Sequence, residues 1–133
     1  VSVEGWDAAG PYCRAPHVAF VATTSADGSP HVVPIWLDTD DGAIRINTTE
    51  GTVKLRNLRR DPRVALAIHV SSEPYLAFAI RGRVVGEVTG PEAAAHIDAL
   101  SRAYDGTPWA FAEGEAERRV LLRIDPEHVV TMA

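Results

Sequence analysis

The stretch from Tyr75 to Val88, YLAFAIRGRVVGEV, constrains the fold more than any other part of the chain. It alternates cleanly: Leu76, Phe78, Ile80, Val84 and Val88 share one face, and Arg81, Arg83 and Glu87 share the other. A period of two held over this length is a β-strand with one face in a core. Gly82 and Gly86 fall on the inward face, where the missing Cβ permits tight curvature or close approach of another backbone. A long strand curved at two glycines points to a barrel.

The flanking segments carry the same signature. HVAFVATT, residues 17–24, is β-rich, with Val18, Phe20 and Ala22 opposite Ala19, Val21 and Thr23. The Asp-Gly turn in SADGSP leads to a second strand from His31 to Asp38, where Pro34 marks an edge or a bulge. TDDG turns into a third strand, AIRINTT, and the three strands read as a meander. A short helix follows from Thr52 to Arg60, capped by Thr52 and stopped by Asp61-Pro62, with Leu55 and Leu58 facing inward. After the strand VALAIHV and the long strand, residues 91–104 place Ala93, Ile97, Leu100 and Tyr104 at helical spacing, with Pro91 in the first turn. Residues 105–117 read as a loop, and RRVLLRIDPEHVVTM closes the chain as one strand or two. Residues 1–16 read as an irregular or briefly helical lead-in. Hairpin links replace βαβ crossovers, and no G-x-G-x-x-G follows a strand, which excludes a Rossmann fold.

Composition narrows the function classes. A chain of 133 residues is one domain, residues 1–133. A net charge of -5 with a pI near 5.5 argues against a nucleic-acid partner. No apolar run reaches the length of a membrane span, so no membrane association is expected, and the start VSVEGWDAAG lacks the blocks of a signal peptide. The single cysteine, Cys13, can form no intrachain disulfide, which fits a cytoplasmic setting. The five histidines lack metal-ligand spacing, no serine lies in a G-x-S-x-G context, and no side chain stands out as a catalytic acid or base. No metal and no catalytic residue is expected.

The informative block is INTTEGTVKLRNLRRDPR, residues 46–63. It sets Asn47, Thr48 and Thr49 at a strand end, next to a helix whose first turns carry Thr52, Val53, Lys54 and Asn57. Free N–H groups at a helix start, hydroxyls and an ammonium form a cradle for an anion such as phosphate. Lys54, the only lysine, lies three residues before Asn57, which places the two on one helical face. A capped surface helix with solvated charges accounts for the same residues, and from the residues alone both readings stand.

The chain resembles the pyridoxamine 5′-phosphate oxidase-like split-barrel superfamily, in its actinobacterial branch of B-type F420-dependent oxidoreductases. The resemblance rests on VAFVATTSADGSPHVVPIW, NTTEGTVKLRNLRRDPRVALAI and AIRGRVVGEV, followed by HIDALSRAYDGTPW and RRVLLRIDPEHV in the family's order. It implies a mainly β fold with α: an antiparallel split β-barrel of six or seven strands, a short helix after strand 3 and a longer one in the C-terminal third. It also implies coenzyme F420, a deazaflavin, as cofactor. His31, Val33 and Pro34 would lie on the strand beside it, Asn47, Thr48 and Thr49 at the strand end, and Thr52, Val53, Lys54 and Asn57 at its phosphate. Arg56 would pair with acidic groups on the cofactor's tail or on protein. A homodimer is implied, with sites at the subunit interface and Tyr75 reaching in from the partner. Trp36, Tyr75 and Trp109 are the aromatics expected near a small-molecule acceptor. The reaction implied is hydride transfer from reduced F420 to that acceptor. The alternatives are an FMN-dependent oxidoreductase on the same barrel and a non-catalytic carrier of cofactor or hydrophobic ligand.

Overall fold

The computed structural model describes residues 3–14 and 16–133, so residues 1, 2 and 15 of the expected lead-in lie outside the described residues. Its elements are α1 (Trp6–Arg14), β1 (Val18–Thr24), β2 (Pro30–Ile35), β3 (Leu37–Asp40), β4 (Ala43–Thr49), α2 (Val53–Arg60), β5 (Arg63–His69), β6 (Ala77–Val88), α3 (Pro91–Asp105) and β7 (Arg119–Met132). One antiparallel sheet holds all seven strands in the order β2-β1-β5-β6-β7-β4-β3.

That order dictates the barrel. A flat sheet of seven strands would separate its two edges by about 29 Å at ~4.8 Å per strand. The edges here are β2 and β3, and only Trp36 lies between Ile35 and Leu37, a span of at most ~7 Å. The sheet has to curl until its edges nearly meet, and they diverge beyond Trp36: a split β-barrel. The expected strand from His31 to Asp38 is therefore two strands, and the expected meander of three is absent. β2 pairs with β1, while β3 pairs with β4 on the far edge. Pro34 lies on the edge strand β2, where its missing N–H costs no ladder bond.

The barrel interior is apolar, built from Val21, Ile44, Ile46, Ile68, Phe78 and Ile80, and α2 contributes Leu55 and Leu58 to it. Helix α1 adds Trp6, Ala9 and Cys13 to the same core. Burial pushes the Cys13 thiol up to about 12, so this cysteine packs as a small hydrophobe. β6 begins at Ala77, not Tyr75, and its register with β7 shifts at Arg81/Gly82 and at Val84/Gly86. β7 is one strand: Pro126 sits opposite Gly82 at the first shift, where a proline is tolerated.

The outward face of β1, β2, β5, β6 and β7 is unusually apolar. Register aligns Phe20, Ala67, Ala79 and Val130 in one row, and Val18, His69, Ala77 and Met132 in the next. Phe20 is 40% exposed, Val32 63% and Val130 56%.

Candidate functional site

A cleft of about 700 Å³ opens beside the β2–β3 crossing, between the barrel and α3. Its aromatic wall is built around Trp36. Tyr104 stacks on Trp36 at 5.4 Å with 18° between the rings, and Trp109 meets Trp36 edge-on at 6.0 Å. Tyr104 is fixed in turn, because its hydroxyl donates to Leu37 O at 2.9 Å and accepts from Leu37 N–H at 3.1 Å. The crossing that closes the barrel is thus pinned by a residue of the cleft.

Polar groups line the same cleft. Lys54, in the first turn of α2, lines the cleft together with Asn47 and Arg119. Burial, then repulsion from Arg119, presses the Lys54 ammonium below the usual lysine range. Among the described residues, Lys54 has no hydrogen-bond acceptor and no ion-pair partner. Arg119 differs, since Glu115 accepts from its Nη2 at 2.7 Å and its Nε at 3.0 Å, and its guanidinium lies 5.0 Å from the Trp109 ring centre. Glu115 also accepts from Ala112 N–H and from Trp109 Nε1–H; these bonds and Arg119 hold its carboxyl down at about 2. This loop is locked by one carboxylate.

The start of α2 is ordered by its threonines. Gly51, at φ 91°, takes the left-handed place in the turn Thr49–Thr52. Thr52 Oγ1 lies 2.8 Å from Thr48 Oγ1, donates to Thr49 O and accepts from Leu55 N–H as the helix cap. The amides of Val53 and Lys54 have no acceptor among the described residues, as expected for the first positions of a helix.

Of the residues singled out from sequence, Pro34, Trp36, Asn47, Lys54 and Trp109 come together in the cleft. Asn57 does not share Lys54's surroundings: it is buried, and its amide donates to Thr23 Oγ1 at 3.0 Å and to Ser25 Oγ at 3.4 Å. The i,i+3 spacing sets the angle between them, but the barrel lies on the Asn57 side. Val33 packs against the core, and the His31 Nδ1 is buried without a partner. Val53 and Arg56 are exposed on α2, and Tyr75 stands 86% exposed in the β5–β6 loop. Thr48, Thr49 and Thr52 shape the helix start behind the cleft.

Sequence reasoning missed His17, Tyr104 and Arg119 as cleft residues. Tyr104 continues the apolar spacing of α3 and so reads as core, and nothing local separates Arg119 from the neighbouring Arg118. Among the described residues, no three His, Cys, Asp or Glu side chains are grouped to hold a metal, and no helix is long and apolar enough to cross a membrane.

Comparison with solved structures supports the fold. An F420 reductase superposes with a TM-score of 0.81 at 26% identity, covering 97% of this chain and 98% of that one. A conserved hypothetical protein of Mycobacterium tuberculosis gives 0.69 at 25% identity, covering 99% of this chain and 85% of that one. General Stress Protein 26 of Bacillus anthracis gives 0.68 at 14% identity, covering 92% and 88%, a likeness of fold alone. A comparison with curated proteins found no match. Residues 7–133 match the family described as pyridoxamine 5′-phosphate oxidase. With that match spanning almost the whole of a split β-barrel, the chain belongs to the pyridoxamine 5′-phosphate oxidase family.

Proposed function

We propose that the protein is an oxidoreductase that holds coenzyme F420 in this cleft and serves hydride transfer from the reduced cofactor to a small organic acceptor. The observation that carries the reading is Lys54: a half-buried ammonium with no counter-ion among the described residues, beside two free helix amides in a cleft that also holds Trp36 and Trp109. An ion in that position is costly unless an anion joins it, and a phosphate is the anion such helix starts accommodate. Lys54 and the amides of Val53 and Lys54 would hold the phosphate, with Thr49 and Thr52 shaping the turn. Pro34, Trp36 and Trp109 offer an apolar surface to a ring system and to the acceptor. The free edge of β2, from His31 through Val33 to Pro34, offers backbone groups beside it. When bound, the cofactor supplies the hydride chemistry, and the protein supplies position and exclusion of water.

The similarity to an F420 reductase supports F420 over FMN. One observation favours FMN as a second reading. Arg59 is clamped to Glu50 and Glu87, and Arg60 bonds Asn57 and Thr24 O, which leaves only Arg56 of the α2 arginines for a longer acidic tail. Titration with F420 and with FMN, followed by fluorescence, decides between them. Preferential F420 binding, with oxidation of reduced F420 by conjugated acceptors, supports the proposal. Preferential FMN binding overturns the cofactor, and F420 binding without turnover leaves a carrier.

The reading includes a homodimer formed through the apolar outward face, with Tyr75 of each copy near the other's cleft. Phe20→Arg puts a charge at the centre of that face and is expected to shift sedimentation from dimer to monomer. A wild-type protein that sediments as a monomer removes this part of the proposal.

A further inference from the structure

Behind the cleft lies a chain of hydrogen bonds whose direction is fixed at every link. Asn47, 8% exposed, donates from Nδ2 to Ala93 O at 2.9 Å. That bond sets the orientation of its amide, because a carboxamide oxygen could not face the Ala93 carbonyl. The second Nδ2 proton points at His96 Nδ1, 3.0 Å away, so that nitrogen is an acceptor and carries no proton. The His96 proton is then on Nε2, where Asp38 Oδ1 accepts it at 3.0 Å. Asp38 is held by Arg45 through two bonds, at 2.9 and 2.7 Å. On the other side, the fixed amide leaves Asn47 Oδ1 to accept from Arg119 Nη1 at 3.3 Å. His96 itself is 4% exposed and does not line the cleft, which its hydrogen bonds reach through Asn47.

We propose that His96 is a positioning residue that, through Asn47, holds the Arg119 guanidinium at the cleft wall beside Lys54. The proposal rests on the cleft being the cofactor site and refines the role of Asn47. All the donors and the acceptor of its amide are engaged by protein, so it acts on a ligand through Arg119. Glu115 fixes the other edge of the same guanidinium, and between them Asn47 and Glu115 leave it one orientation. A neutral His96 is required. A second proton on Nδ1 would face the Asn47 amide donor, and turning the amide over would lose Ala93 O and set an NH₂ against Arg119.

The test uses the full-length protein labelled with ¹⁵N, and two variants. Long-range ¹H–¹⁵N correlations are expected to show His96 protonated on Nε2 only, with a coupling across the Asn47 Nδ2–H···Nδ1 bond. His96→Phe removes both polar contacts, and is expected to free rotation of the Arg119 guanidinium and weaken F420 or FMN binding about tenfold, as for one lost hydrogen bond to a charged group. His96→Gln keeps an acceptor for Asn47 and a donor for Asp38, and is expected to restore slow Arg119 rotation and binding to within about threefold. A proton on His96 Nδ1, or equal loss in both variants in proportion to their loss of thermal stability, would overturn the proposal. If the tautomer and Arg119 readouts behave as expected while wild-type protein binds neither cofactor, the positioning role stands and the cofactor assignment falls.

Discussion

Gly82→Ala is expected to lower the melting temperature by roughly 10 °C, while Gly86→Ala, four residues along the same strand, leaves it within a few degrees. Both glycines sit at shifts in the β6–β7 register and both face inward, so sequence treats them alike. A methyl group separates them. A Cβ on Gly82 would stand 2.3 Å from the backbone oxygen of Asp125, and that oxygen belongs to the bulge that seats Pro126. Backbone cannot swing aside as a side chain does, so β7 must shift or the ladder must open. Overpacking of this kind costs about 3 kcal/mol, which is a large part of the stability of a domain this size. A Cβ on Gly86 meets only the Arg123 side chain at 3.9 Å, an ordinary contact. There the substitution reduces the freedom of the unfolded chain, and a small gain is as acceptable as a small loss. Thermal unfolding of the two variants side by side checks the claim; equal loss in both would mean that close approach at Gly82 is not what requires glycine.

The same pair shows what could be read from sequence. Alternation in β6 identified its inward face, including both glycines, because a period of two is a property of the strand alone. Which glycine is indispensable depends on where Asp125 arrives, a contact made across more than forty residues of chain. The split between β2 and β3 was hidden for a related reason. His31 to Asp38 is β-rich throughout, and the exchange of partners at Trp36 is set by sheet order, which no local pattern carries.

The site divides along the same line. Thr52 as cap, Asp61-Pro62 as stop and Leu55 and Leu58 as the buried stripe all follow from rules that act within a few residues, and α2 obeys them. The partners of its polar side chains do not follow from spacing. Asn57 is drawn inward by Thr23 and Ser25 of the first hairpin, whereas Lys54 meets β7 through Arg119. His96 reads as one polar residue on an amphipathic helix. Its importance comes from Asp38 and Asn47, which belong to strands far earlier in the chain.

Lys54→Ala is expected to weaken binding of a phosphorylated cofactor about 100-fold, since one or two charge-assisted hydrogen bonds are lost at a half-buried site. The same change should leave the unliganded protein as stable as before, or slightly more so. Without ligand, the ammonium is desolvated and repelled by Arg119, which is why its pKa lies below that of an ordinary lysine. A lysine with a depressed folded-state pKa opposes folding at neutral pH, and that penalty fades as pH rises through the folded value toward the unfolded one. A bound phosphate reverses the balance by favouring the charged form, so binding draws a proton onto Lys54. Affinity should therefore fall as pH rises through the lowered pKa, sooner than for a solvated lysine. Lys54→Arg keeps a charge that does not titrate in this range, and its affinity should be lower than wild type but flat with pH. Fluorescence titrations across alkaline pH on the three proteins, with thermal unfolding of each, test this. A wild-type profile as flat as the arginine variant's, or a Lys54→Ala protein that loses stability and binding together, would show that Lys54 serves the fold and not the ligand.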